Sequence, residues 1–230
     1  MNGLIHSSLY FGMLVSVGAY MLGVWLKKKT GWAILNPLLV AIIVVIAFLS
    51  VFHIEYKEYN RGAVYLGYFL TPATVCLAVP LYEQIHLLRK NLKAVAVGII
   101  SGTLAGLCSI LLMSKLFGFN HQEYVTMLPK SITTAIGMGV SEELGGIVTI
   151  TVAVIIITGV LGNMIAEVVY KIAKIEEPIA RGLALGTSAH AIGTAKAMEL
   201  GPVEGAMSSL AIAVAGLLTV IGASVFAGMM

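Results

Sequence analysis

Two polar stretches in this otherwise apolar sequence carry residues that could bind an anion. The first reads P-K-S-I-T-T and contains Lys130, Ser131, Thr133 and Thr134. Proline fits the first turn of a helix, so we expect Pro129 to open a half-helix there. The unpaired N–H groups of that turn, the helix dipole and the lysine charge would together bind a small carboxylate. Alternatively, the lysine extends to the membrane interface and the hydroxyl groups bond back to their own helix.

The second stretch, Ala180–Glu199, mixes glycines with Arg181, Ser188, His190 and Thr194. Hydrocarbon does not tolerate such a mixture unless protein or a water-filled cavity surrounds it, because unsatisfied polar groups are costly there. We therefore predict a buried, broken helix that lines a binding site. The imidazole of His190 could exchange protons near neutral pH or donate a hydrogen bond to a carboxylate. The alternatives are a surface loop, close packing of small residues, or a histidine that is simply a satisfied core group.

Glu142 and Glu143 end the region of the first stretch. Either carboxylate, or His190, could take up a coupling proton, and a glutamate could instead pair with Lys130 or Arg181. The alternative is that both glutamates form an interfacial cap. The chain contains no aspartate, so a coupling ion would have to use glutamate, histidine or backbone carbonyl groups.

Enzyme chemistry is not indicated by any motif. The zinc-protease, nucleophile-elbow and phosphate-loop patterns do not occur, and Ser188 and His190 are only two residues apart, which places them on different helix faces. Cys76 and Cys108 fall in apolar runs and read as small hydrophobic residues. We predict no catalytic residue, no cofactor and no metal site, and the modest charge of +3 does not indicate nucleic acid as a partner.

The elements that position these residues are predicted to be membrane-spanning helices. Hydrophobic residues make up 59% of the 230 residues, charged residues 11%, and the mean hydropathy is +0.97. Runs of about 20 apolar residues can each span a bilayer. We predict an all-α polytopic membrane protein, a single integral domain over residues 1–230, with a re-entrant segment at 123–146. The seven predicted spans are Leu4–Leu26, Trp32–Phe52, Gly62–Leu88, Ala94–Phe117, Ile147–Val169, Ala180–Glu199 and Val203–Met230.

Basic clusters set the predicted topology. Lys27–Lys29 form a short loop, and clusters at 89–93 and 171–181 join them on the cytoplasmic side, with the N-terminus outside. This holds if 123–146 dips in from outside and returns, whereas a full crossing would place the third cluster outside. We favour the dip. The stretch His53–Arg61 is predicted as a polar loop.

Breaks in two spans suggest an inverted repeat. Pro72 and Pro80 interrupt Gly62–Leu88, and Gly186 and Gly193 interrupt Ala180–Glu199. The two spans would run in opposite directions, each in the middle of three, with halves 32–117 and 145–230 and residues 1–26 as an extra span. Such a pair indicates a transporter with its site near the bilayer midplane.

The small residues Ser101, Gly102, Thr103 and Gly106 are interpreted as a helix-packing face.

Three motifs resemble the LrgB/CidB family of bacterial membrane proteins, and the resemblance covers essentially the whole chain. They are L-P-K-S-I-T-T-A-I followed by S-E-E-L-G-G, A-R-G-L-A-L-G-T-S-A-H-A-I-G-T-A-K-A-M-E-L-G, and T-P-A-T-V-C-L-A-V-P-L-Y. One departure is Ala135, where family members commonly have proline after T-T. The family motifs fall on the candidate residues Pro129, Lys130, Ser131, Thr133, Thr134, Glu142, Glu143, Arg181, Ser188, His190 and Thr194.

The resemblance implies two functions. Some members are named holin- or antiholin-like modulators of murein hydrolase activity and autolysis, working with a smaller LrgA/CidA-type membrane partner. Others look like carriers of small monocarboxylates such as pyruvate, glycolate or glycerate. We expect a carrier in the bacterial cytoplasmic membrane, with a small carboxylate as its ligand and the lipid bilayer around it. We also expect a homo-oligomer.

Overall fold

The computed structural model describes residues 10–32 and 35–230. The described chain is helical, without a strand, which confirms the all-α prediction. Three of its helices, Leu92–Phe117, Val148–Ala173 and Pro202–Ala227, are long and apolar enough to cross a membrane. Each has 26 residues, or roughly 39 Å of helix, against about 30 Å of hydrocarbon. The chain divides into two compact units, Met1–Cys76 and Leu77–Met230.

The first unit consists of α1 (Phe11–Thr30), α2 (Pro37–Val51), α3 (Tyr56–Gly67) and α4 (Leu70–Cys76). Residues 4–9 of the first predicted span lie outside the described residues. Two predicted loops are wrong. Lys27–Lys29 form the last turn of α1, where cations interact favourably with the helix dipole, and the helix ends at Gly31 with φ 70°. His53–Arg61 is not a loop throughout, because α3 already begins at Tyr56.

The second unit contains three helices of 26 residues connected by shorter and interrupted segments. Its helices are α5 (Ala78–Glu83), α6 (Ile85–Lys90), α7 (Leu92–Phe117), α8 (His121–Met127), α9 (Thr134–Glu143), α10 (Val148–Ala173), α11 (Pro178–Leu200) and α12 (Pro202–Ala227).

The prolines mark helix beginnings rather than kinks. Pro72 and Pro80 are each the third residue of their helix, and the interruptions lie upstream of them, before Leu70 and at Leu77. A proline is tolerated in the first turn because its missing N–H would have no helical partner there. The predicted span Gly62–Leu88 is therefore a series of short helices.

Between α8 and α9 lies a break loop, residues 128–133. Pro129 is in this break, as predicted, but it does not open the next helix. Thr133 takes the cap position in an extended conformation and α9 begins at Thr134. The backbone is turned locally instead, because the N–H of Lys130 donates to Met127 O at 3.1 Å and that of Ile132 donates to Pro129 O at 3.4 Å.

The α8–α9 segment returns to its starting point. The N–H of Ile147 donates to Thr126 Oγ1 at 2.8 Å, and the hydroxyl of Thr151 donates to Thr126 O at 2.9 Å. Gly146 allows this approach, because a Cβ there would lie 3.1 Å from Thr126 Cα. The residues between 126 and 147 thus form a loop that is closed at its neck, the arrangement expected of the predicted re-entrant segment.

Helix α11 is divided at His190, where φ is 43° and ψ is −135°. A Cβ on Gly193 would lie 2.7 Å from Leu185 O, although eight residues of straight helix span about 12 Å. The chain therefore folds back at the histidine, giving a first arm (residues 178–189) and a second arm (residues 191–200).

Contacts with α10 confirm that the two arms run in opposite directions. Along the first arm, the hydroxyl of Tyr170 donates to Arg181 O at 2.8 Å, and Gly162 lies against Ala189. Along the second arm, Asn163 Nδ2 donates to Ile192 O at 3.1 Å, and Glu167 pairs with Lys196. From residue 181 to residue 189 the first arm contacts α10 at 170 and then at 162, and from residue 192 to residue 196 the second arm contacts α10 at 163 and then at 167.

The glycines of α11 allow close packing and do not break the helix. The predicted breaks at Gly186 and Gly193 are wrong in position. A Cβ on Gly186 would lie 2.5 Å from Ser208 O of α12, so glycine is needed for the two helices to touch there. Gly193 allows the second arm to lie against the first. The break falls between them, at His190.

Helix α7 runs parallel to the first arm. A Cβ on Gly98 would meet Leu183 Cδ1 at 2.9 Å, and one on Gly102 would meet Thr187 Oγ1 at 2.8 Å. Since α10 is antiparallel to the same arm, α7 and α10 are antiparallel to each other. The α8–α9 segment between them therefore begins and ends at the same end of the bundle.

Candidate functional site

A cavity of about 830 Å³ lies between α7, the break loop and the first arm. One face of α7, together with Asn91 just before it, forms a wall of mostly small residues in overlapping rows at intervals of three and four, the spacing of a single helix face. These residues are Asn91, Ala94, Gly98, Ser101, Gly102, Ala105, Gly106 and Ser109. Because most of them lack bulky side chains, the wall leaves room for a small molecule.

The break loop contributes Lys130 and Ser131 to the cavity. Its neighbours Leu128 and Ile132 are buried in the core, with exposed fractions of 1% and 2%, and they anchor the loop on both sides. Lys130 Nζ donates to Ser131 Oγ at 2.9 Å. The cavity is therefore supplied with one ammonium group and one hydroxyl group on a segment of irregular backbone.

The first arm provides further hydroxyl groups from the opposite side. Thr187 and Ser188 both line the cavity. Their hydroxyls donate to Leu183 O at 2.8 Å and to Ala184 O at 2.6 Å, so their hydrogens are used within the helix. The donors of the site therefore come from the break loop, as the ammonium of Lys130 and the hydroxyl of Ser131. One cation and a neutral donor in a mainly apolar wall suit a small anion with a short apolar body.

His190 and Thr194 lie at the turn of α11, outside the lining of the cavity. His190 is 3% exposed and its Nε2 lies 2.9 Å from Ile155 O. A carbonyl oxygen only accepts, so Nε2 carries the hydrogen. Thr194 Oγ1 donates to His190 O at 3.0 Å and lies 2.7 Å from Ser208 Oγ. These bonds hold the folded-back backbone, and direct contact of either residue with a ligand stays a prediction.

The other predicted site residues are more distant from the cavity lining. Arg181 donates from Nε to Ile175 O at 2.8 Å and stacks over the Tyr170 ring at 5.8 Å, so it fastens the α10–α11 connection. Thr133 and Thr134 cap and begin α9, half-buried. Glu142 and Glu143 are exposed at the C-terminal end of that helix. Their predicted roles in substrate binding or coupling stay predictions.

Two features were missed by the sequence analysis. The face of α7 was interpreted as packing only, although its small residues at helical spacing line a cavity. An ion pair joins Lys196 of the second arm to Glu167 of α10, with Glu199 at 3.4 Å from the same ammonium. The spacing on α7 could have indicated the first feature. The sequence carries no signal for the second, because the pair depends on the fold-back at His190.

Comparison with known proteins identifies the family of this chain. The model of the LrgB-like family matches residues 16–229. The chain belongs to the LrgB-like family. The "Antiholin-like protein LrgB" of Bacillus subtilis (strain 168) is 39% identical over 218 residues, which cover 94% of both chains. Proteins of the same name from Bacillus cereus (strain B4264) and Bacillus anthracis (strain CDC 684 / NRRL 3495) are each 38% identical over 213 residues, covering 92% of this chain and 93% of theirs.

The LrgB-like family membership confirms the resemblance found in the sequence. Together with the three long apolar helices, it makes the chain a multi-pass membrane protein. No solved structure matches the chain.

Proposed function

We propose that this LrgB-like protein is a secondary carrier for a small monocarboxylate of the pyruvate, glycolate or glycerate type. The observation that carries the proposal is the position of Lys130. It lies in a helix break and faces a cavity that also receives the hydroxyls of Thr187 and Ser188, close to the turn of α11. Broken helices that meet around a polar cavity are the usual substrate site of secondary transporters.

The order of the elements supports an inverted repeat in the second unit. Helices α7 and α10 are antiparallel and equal in length, and each precedes a segment that folds back on itself. We infer that α7 with α8–α9 corresponds to α10 with α11. This pairing differs from the halves 32–117 and 145–230 inferred from the sequence, and both divisions stay predictions.

We infer that a ligand enters the cavity at the end where α7 and α11 begin, which we call its open end, and that Lys130 lies towards the inner end. Asn91 and the exposed Glu177 line the cavity there, and both helices follow basic clusters. The positive-inside rule places those clusters in the cytoplasm, so the described state would be open to the cytoplasm of the bacterial inner membrane with Lys130 at its inner end. Glu142, Glu143 and His190 remain the candidates for proton coupling.

A second function is favoured by the names of the relatives. Each is an antiholin-like protein, and these names support a regulator of murein hydrolase activity and autolysis more directly than they support a carrier. In that case the chain would assemble as a homo-oligomer or with an LrgA/CidA-type membrane partner and restrain or form membrane lesions. The cavity would then have no substrate.

Proteoliposomes distinguish the two functions. Purified protein, with and without the LrgA/CidA-type partner, is tested for uptake of labelled pyruvate, glycolate and glycerate and for release of a trapped bulky dye. A carrier takes up at least one acid, loses uptake in Lys130→Ala and retains the dye. Dye release without uptake of any C2 to C4 oxo- or hydroxy-acid would refute the carrier and support the antiholin-like function.

A further inference from the structure

A second, much smaller chamber adjoins the inner end of the cavity. Its volume of about 10 Å³ is enough for a single water-sized group. Gly102, Gly106, Ser131 and Thr187 line both spaces, so the chamber and the cavity share a wall. The remaining walls are Thr103, Leu107, Ile110, Leu128 and Thr219.

The hydroxyl of Thr103 is the unusual feature of this chamber. The residue is 7% exposed, and among the described residues its Oγ1 is the buried side-chain atom that lacks a hydrogen-bond partner. Helical threonines can satisfy their hydroxyl on a carbonyl of the preceding turn, as Thr187 does on Leu183 O. A buried donor without a protein partner is costly, so a hydroxyl of this kind in the wall of a chamber of single-atom size indicates a binding position for an acceptor atom.

The surrounding charge favours an oxygen atom over a cation. Lys130 Nζ donates to Ser131 Oγ, which is itself part of the chamber wall, so a positive charge stands one side chain away. A metal cation in the chamber would be repelled by that charge. An oxygen atom of an anion would instead accept a hydrogen bond from the Thr103 hydroxyl, which has no other partner, while its negative charge faces the lysine.

We propose that the hydroxyl of Thr103 is the donor of an oxygen subsite, walled by Ser131, Thr187 and Thr219, that receives one oxygen atom of the bound carboxylate ligand. This inference rests on the proposed carrier function and adds to it. The chamber has room for a single atom, so the rest of the ligand stays in the larger cavity. Thr103 thereby fixes the orientation of the ligand relative to Lys130, and it is a binding residue that neither the sequence motifs nor the relatives' names indicate.

The test compares Thr103→Val, which replaces the hydroxyl with a methyl group of similar size, with Thr103→Ser, which keeps the hydroxyl. Uptake of labelled glycolate and pyruvate is measured in proteoliposomes, and thermal unfolding of the detergent-solubilised protein is followed with and without each acid. We expect Thr103→Val to raise KM about 2- to 10-fold, the equivalent of one neutral hydrogen bond, and to reduce the shift in Tm that the acid produces. Thr103→Ser should stay within about 2-fold of the wild type, since the lost methyl group is not in the hydrogen bond.

The unliganded protein gives the decisive control. Because Thr103→Val removes a donor that has no partner, its Tm without acid should equal or exceed that of the wild type, whereas a structural hydroxyl would lower it on removal. Thr149→Val, at an exposed position of α10, is the matched substitution.

An unchanged KM and an unchanged ligand-induced shift in Tm in Thr103→Val would overturn the oxygen subsite. A change in Thr103→Val that is confined to the dependence of uptake on sodium would also overturn it, because it would indicate a cation in the chamber. Absence of both uptake and ligand-induced shift in the wild type would overturn the carrier itself and the subsite with it. Binding without uptake in the wild type refutes only the carrier, and the comparison of Tm shifts then decides the subsite.

Discussion

Removing the charge of Lys130 is the most direct test of the proposed carrier function, because this ammonium group provides the positive charge that binds the ligand. The substitution Lys130→Gln keeps a polar side chain of similar length and removes the charge. Lys130 is half-buried and its Nζ has Ser131 Oγ as its partner at 2.9 Å, and within residues 10–32 and 35–230 it forms no ion pair with a carboxylate. A carboxylate ligand would become its ionic partner.

A hydrogen bond that involves a charged group contributes about 1.5–3 kcal/mol. Several lining residues, among them Ser101 and Ser188, are exposed, so we take the lower part of that range, about 1.5–2 kcal/mol, which corresponds to a rise in KM of roughly 10- to 30-fold. Lys130→Arg should retain much of the affinity because the charge stays, although the planar guanidinium changes the geometry.

Initial rates of uptake of labelled glycolate in proteoliposomes over a wide concentration range measure this change. Lys115→Gln is the matched control, since Lys115 is an exposed lysine in the last turn of α7 and outside the cavity lining. Uptake by Lys130→Gln with the KM of the wild type would refute the claim that the ammonium binds the ligand. A loss shared equally by Lys115→Gln would show that the assay reports general charge and not this site.

Three further substitutions test the backbone turn, the helix packing and the surface charge around the site. His190→Gly should be more stable than His190→Ala by about 1–2 kcal/mol and should therefore unfold at a higher temperature. Both variants lose the imidazole, but only glycine adopts φ 43° without strain. Equal stability of the two variants would argue against a strained turn. Gly186→Ala should destabilise the fold by about 1–3 kcal/mol, since its Cβ would lie 2.5 Å from Ser208 O, whereas Gly139→Ala in open space should be neutral or stabilising in the same thermal assay. Glu177→Gln should increase the uptake rate for an anion about 2-fold at low salt and little at high salt, because it removes an exposed negative charge from the open end of the cavity; a gain that persists in high salt would contradict an electrostatic cause.

The sequence indicates the membrane class and the polar break loop, because both depend on local composition. Hydropathy alone predicts α7, α10 and α12 to within a few residues. The group Lys130-Ser131 stands out because an ammonium group in an apolar chain is costly unless it has a role. These residues do line the cavity, so this part of the site was predictable.

The fold-back of α11 was not predictable in the same way. Glycine is the residue that usually permits a positive φ, so Gly186 and Gly193 were natural choices for the break. The structure instead turns at His190, whose strained backbone is held by the contact of its Nε2 with Ile155 O and by the hydroxyl of Thr194. The first contact is tertiary, because it requires α10 to be in place, whereas the second is local to the second arm. A residue that is recognised as polar and buried can thus hold a backbone turn, and the predicted role of His190 at the ligand stays a prediction.

The packing of core side chains at the inner end of the cavity helps to distinguish a carrier from a membrane lesion. Its inner end adjoins the oxygen subsite, whose walls Leu107, Ile110 and Leu128 belong to the packed core of the second unit. A ligand that enters from the open end therefore meets core side chains beyond Lys130, as expected for a carrier that exposes its site to one side at a time. A lesion formed by this unit alone would have to separate those side chains, at the cost of burying less apolar surface. Enlarging the residues that line the cavity, for example by Gly102→Leu, should accordingly abolish uptake without causing dye release. A lesion assembled between copies or with a partner would be unaffected by that substitution, so a Gly102→Leu variant that folds, blocks uptake and leaves autolysis normal would separate the two activities.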